Sequence, residues 1–128
     1  MKNKYLPEEL EISYTHQLTG TDSIKLINEK NLLIMENSLA KLIDTNQIKE
    51  ENWIEFWNRL EKIGIWDLEE NYQSCNLEAD FHWKIAISYK DKSVNSYGLN
   101  LEPKIFIGNQ IFSVLEELKE AIEDLIEY

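Results

Sequence analysis

The sequence predicts an α+β fold: a mostly antiparallel sheet of about five or six strands covered by two amphipathic helices. Three observations carry that prediction. Apolar residues alternate at period two in the first third of the chain and again from Phe81 to Tyr89. They change to a helical period over residues 49–63 and after Asn109. The blocks run strands, helix, strands, helix, which suits an antiparallel sheet with one solvated face. At 128 residues the chain reads as one domain, 1–128, able to build a core without a metal or disulfide.

Each element follows from its pattern. "ELEISYTHQL" sets Ile12, Tyr14, His16 and Leu18 on one face, with Ser13, Thr15 and Gln17 opposite. "TGTD" with Gly20 predicts a turn, "SIKLI" a strand, "NEKN" a second turn and "LLIME" a third strand. "SLAKLID" reads equally as a fourth strand or a short helical turn. Over residues 49–63, Trp53, Phe56, Trp57, Leu60 and Ile63 make one helical stripe. Glu50 and Glu51 favour the helix start, Arg59 and Lys62 its end, and Gly64 a left-handed stop. "IWDLEENY" is expected to add a short turn bearing Trp66 and Tyr72.

"FHWKIAISYK" places Phe81, Trp83, Ile85, Ile87 and Tyr89 on one face of a strand. "KDKS" turns the chain into "VNSYGLN", its expected hairpin partner. "LEPKIFIGN" reads as a connector because Pro103 and Gly108 interrupt it. Asn109 is the expected N-cap of the last helix, whose stripe is Phe112, Leu115, Leu118, Ile122, Leu125 and Ile126.

Charge is the strongest compositional signal. Twenty-four Asp and Glu against thirteen Lys and Arg give a formal net charge of −11, and Arg59 is the only arginine. Phosphate recognition needs a basic face and favours arginine forks, so direct nucleic-acid binding and anionic membranes are disfavoured. A basic protein partner is the natural complement. No apolar run follows Lys2 and Lys4 as a signal peptide requires, and no run approaches a membrane span. The single cysteine, Cys75, fits a reducing compartment. The chain is therefore expected to be soluble and cytoplasmic.

Catalytic motifs are scarce. The sequence holds no H-E-x-x-H, paired C-x-x-C, EF-hand loop, phosphate loop or G-x-S-x-G elbow. Cys75 with His82 lacks a positioning third group and sits among acids, which raise a thiol pKa. One constellation remains: Glu78, Asp80 and His82 at i, i+2, i+4 share a face if the strand starts early enough. Two carboxylates and an imidazole suit a divalent metal or acid–base chemistry; the plainer reading is a solvated face beside a loop.

Trp53 and Trp57 stand one turn apart with Phe56 and Leu60, which is the pattern of a core. Trp66 follows the helix stop and lies outside the stripe, where it can rim an interface; tryptophan is enriched at binding hot spots. Residues 114–128 carry six acids and one lysine, and residues 50–70 seven acids and two basic residues. Such faces are ordinarily only solvated. Flanking an aromatic segment, they also make an acidic patch suited to a basic protein. The residues proposed for that surface are Trp66, Glu69, Glu70, Glu116, Glu117, Glu120, Glu123, Asp124 and Glu127.

The stretch "HWKIAISYKDKSVNSYGLNLEP", following "WIEFW", resembles small bacterial α+β domains of uncharacterised function. The resemblance rests on Trp83, Ile85, Ile87, Gly98, Asn100 and Pro103, with a closing amphipathic helix, over about the C-terminal two-thirds. Such domains often carry Asp-Gly before the strand tryptophan, where this chain has "ADFHW". The resemblance implies the fold and no catalytic residue. Gly98 is expected to permit a positive-φ bend.

Together these readings predict a small acidic inhibitor, without cofactor or enzymatic activity. An immunity protein that neutralises a toxin or nuclease, or a bacterial or phage anti-defence protein, would fit. The alternatives are an enzyme or metal-binding domain built on Glu78, Asp80 and His82, and a domain that self-associates through Trp66 and the last helix.

Overall fold

The computed structural model describes residues 4–16, 20–36, 39–73, 81–99, 104–107 and 110–126, with the backbone alone at 73, 104–107 and 110–112. Nine strands and two α-helices lie among them. Strands β1 (Glu9–His16), β2 (Gly20–Asn28), β3 (Asn31–Glu36) and β4 (Leu39–Asp44) form consecutive antiparallel pairs. Helix α1 (Glu50–Lys62) and the short strand β5 (Asn71–Gln73) follow. Strands β6 (Phe81–Tyr89) and β7 (Lys92–Leu99) form a hairpin that docks on β1. The result is a seven-stranded sheet in the order β4-β3-β2-β1-β6-β7-β5, antiparallel throughout except where β5 runs parallel to β7. A separate hairpin, β8 (Lys104–Ile107) and β9 (Gln110–Ser113), leads into helix α2 (Val114–Leu125).

The sheet is wider than the five or six strands expected. Within the segment read as a fourth strand or a helical turn, Leu39–Asp44 form β4, and Asn71–Gln73, of which Asn71 and Tyr72 were expected in a turn, add β5 along β7. "LEPKIFIGN", read as a connector, contains β8. The last helix starts later than expected. Asn109 lies outside the described residues, and Phe112 belongs to β9 rather than to the helical stripe. Ser113 is the N-cap instead, its hydroxyl accepting the Glu116 N–H.

One face of the sheet carries the core. Ile34, Ile24, Ile12 and Ile85 sit side by side across β3, β2, β1 and β6, and all are buried. The stripe of α1 lies over this face, with Trp53, Phe56, Trp57, Leu60 and Ile63 buried. Val114, Leu118, Ala121 and Leu125 of α2 join the same cluster. Gly64 ends α1 at φ 73°, a left-handed conformation that a side chain would strain.

The tryptophans clustered in the sequence pack on one another. Trp57 runs nearly parallel to Trp53 and Trp66, with ring centroids 6.1 and 6.4 Å away, and lies flat against Tyr89 of β6, with ring centroids 3.9 Å apart. Its indole N–H donates to the Tyr5 carbonyl at 2.8 Å.

Gly98 has a different role from the one expected. It is part of β7, opposite Trp83 of β6, and the positive-φ glycines among the described residues are Gly20 and Gly64. A Cβ at Gly98 would overlap the Trp83 indole, so its lack of a side chain makes room for that ring.

Candidate protein-binding groove

Helix α2 has two flanks with different tasks. On one, Glu117, Glu120 and Asp124 face the single arginine of the chain, Arg59 of α1. The guanidinium reaches Asp124 at 2.5 Å, Glu120 at 3.3 Å and Glu117 at 3.8 Å. These three carboxylates, proposed above for partner binding, therefore also hold α2 against α1.

The other flank lines a groove of about 480 Å³ between α2 and strands β1–β3. Ile12, Tyr14 and Ile34 give the sheet side an apolar floor. Leu115, Ile122 and Ile126 form the edge of the α2 apolar face, partly buried against the core and partly lining the groove. Asp22 and Glu36 come from the strands, Glu116, Lys119 and Glu123 from the helix. Four carboxylates and one ammonium give the lining a formal charge of 1 − 4 = −3.

The remaining proposed residues are dispersed. Trp66 does not line the groove; its ring is half-buried against Trp57, and its N–H donates to Glu61 at 2.9 Å. Glu61 also receives the Lys92 ammonium at 3.1 Å. That hydrogen bond above all, helped by the Lys92 charge and the Trp66 N–H, holds the Glu61 carboxyl below its ordinary value against the opposing effect of desolvation. Glu69 and Glu70 are exposed on a segment tied to β7 by its backbone. The Ser96 hydroxyl donates to the Glu69 carbonyl, and the Tyr97 N–H to the Glu70 carbonyl at 3.0 Å. Glu127 lies outside the described residues.

Glu78, Asp80 and Cys75 also lie outside the described residues, as do Asn100 and Pro103. His82 is exposed on the sheet face opposite the helices, between Thr15 and Leu99. Among the described residues no group of three His, Cys, Asp or Glu is placed to hold a metal ion. Nor is any described helix long and apolar enough to cross a membrane.

Sequence reasoning found Glu116 and Glu123 but missed Asp22, Glu36 and the isoleucine floor. The polar-apolar alternation of β2 and β3 marks which face those residues occupy. Only the placement of α2 brings them opposite a helix flank. Comparison with protein-family models, curated proteins and solved structures returns no match.

Proposed function

We propose that this chain is a protein-binding module, a small acidic inhibitor that blocks a basic protein by occlusion. An immunity protein against a toxin or nuclease acts in this way, as does a bacterial or phage protein that disables a defence enzyme. The observation that carries the reading is the groove: an apolar floor bordered by four carboxylates, on a chain with a formal net charge of −11. The field of such a surface speeds the approach of a basic partner and repels nucleic acid. Apolar area buried in the groove then slows release, a contribution that salt does not screen as it screens exposed ion pairs.

A pull-down from a lysate of the source organism, washed at rising salt, tests the reading. It supports the proposal if one stoichiometric basic protein is retained at low salt, leaves as salt rises, and loses its own activity when the purified chain is added back. Retention of acidic or neutral proteins alone refutes it.

A second reading, self-association, is favoured by strand β4. This edge strand pairs with β3 over all six residues without a bulge, and Leu39 and Leu42 on it are 77% and 58% exposed. An edge of that kind, with no strand beyond it among the described residues, invites a further strand. The interface would then be β4 rather than Trp66 and α2, and light scattering across a concentration series distinguishes the two readings.

A further inference from the structure

We infer that the groove between α2 and strands β1–β3 receives a basic amphipathic segment of the partner, its aliphatic side chains on the isoleucine floor and its lysines or arginines on the rim carboxylates. This rests on the protein-binding reading and adds the seat and the chemistry of its occupant.

The first argument is the outer edge of the apolar face of α2. Val114, Leu118, Ala121 and Leu125 are buried in the core, whereas Leu115, Ile122 and Ile126, about a quarter-turn round the helix, pack against that core and keep part of their surface in the cleft. That edge faces Ile12 and Ile34 across an open cleft, within the roughly 300–1,000 Å³ typical of ligand sites.

The second argument is the sign of the charge. The carboxylates stand on both walls, Asp22 and Glu36 on the sheet and Glu116 and Glu123 on the helix, with Lys119 the one cation among them. An anionic amphiphile would meet a lining of formal charge −3. A cationic one meets a complement at each wall. Glu116 and Glu123 are seven residues apart, two helical turns or about 10 Å. That separation matches basic residues two turns apart on an amphipathic helix laid along α2, the helix-in-groove mode of recognition.

The test uses the full chain with its isoleucine methyl groups labelled for NMR. The probes are a synthetic leucine–lysine peptide with amphipathic helical patterning and a scrambled peptide of the same composition. The patterned peptide is expected to shift the methyl groups of Ile12, Ile34, Ile122 and Ile126 while leaving those of Ile65 and Ile87 in place. The scrambled peptide is expected to bind at least tenfold more weakly. The double variant Glu116→Gln/Glu123→Gln is expected to keep the wild-type methyl spectrum and bind the patterned peptide about tenfold more weakly, as two partly exposed ion pairs allow.

Equal, salt-sensitive binding of both peptides without shifts at the groove methyls overturns the seat and leaves the acidic-surface reading standing. Shifts centred on residues around Trp66 do the same. Salt-insensitive or absent binding of both peptides overturns the inference and the acidic-surface reading together.

Discussion

Replacing Gly98 with alanine should be among the most damaging single-methyl additions to this fold. A Cβ there comes within 3.0 Å of three atoms of the Trp83 ring, Nε1, Cε2 and Cζ2. The ring has little room to yield: Trp83 is 1% exposed, and Tyr72 lies on it with centroids 5.6 Å apart. Overpacking a filled core costs about 1–3 kcal/mol, and a trapped indole places this case near 3 kcal/mol. Trp83→Phe alone leaves a cavity and should cost about 2 kcal/mol. In the double variant the alanine methyl enters space the indole vacated, so the second change should add less than about 1 kcal/mol. Urea unfolding followed by far-ultraviolet circular dichroism gives all three values and a coupling of about −2 kcal/mol. Additivity within about 0.5 kcal/mol would refute the close-approach account of Gly98.

Other outcomes follow from the same contacts. Arg59→Leu should destabilise the chain by about 1 kcal/mol at low salt, since it leaves Glu117, Glu120 and Asp124 facing one another. A deficit that does not shrink at high salt would contradict that cause. Because the Glu61 carboxyl is held below its ordinary value, its contribution is full above about pH 4.3 and is lost as pH falls through the lowered value. Trp66 fluorescence should report that step, and Lys92→Met should move its midpoint upward; an unmoved midpoint would separate Trp66 from this clamp. Leu42→Lys should abolish any self-association through β4 while leaving the fold intact, as sedimentation and circular dichroism would show.

Much of this architecture is legible in the residue order, for a physical reason. Where an element buries one face against the core, its own periodicity records the fact. The α1 stripe from Trp53 to Ile63 and the alternation of Trp83, Ile85, Ile87 and Tyr89 both fall where the pattern puts them. Elements specified by their neighbours are less visible. Strand β5 is three residues long and exists through its parallel pairing with β7, so Asn71–Gln73 carries no period of its own. The expected α2 start, at Asn109, falls too early, because Ser113 is an equally competent cap and only the β9 pairing of Ile111 and Phe112 to Phe106 and Ile105 selects it.

The site divides in the same way. The acidity of α2 is plain in sequence, but its partition is not. Arg59 meets Asp124 across 65 residues of chain, and Asp22 meets the Glu123 flank across a groove that exists only once α2 lies over β1–β3. Long-range placement of that kind leaves no local signature. That Leu115, Ile122 and Ile126 border the groove was likewise hidden, because in sequence they merge with Leu118 and Leu125 into one apolar face.

The central claim is that carboxylates around an apolar groove bind a basic protein. The most direct measurement is the affinity of the purified partner for the wild-type chain and for Glu116→Gln/Glu123→Gln, by calorimetry at low and high salt. The account predicts one-to-one binding that weakens steeply with salt, and a variant about tenfold weaker at low salt whose deficit narrows at high salt. Equal affinity of the two chains at both salt concentrations would contradict it.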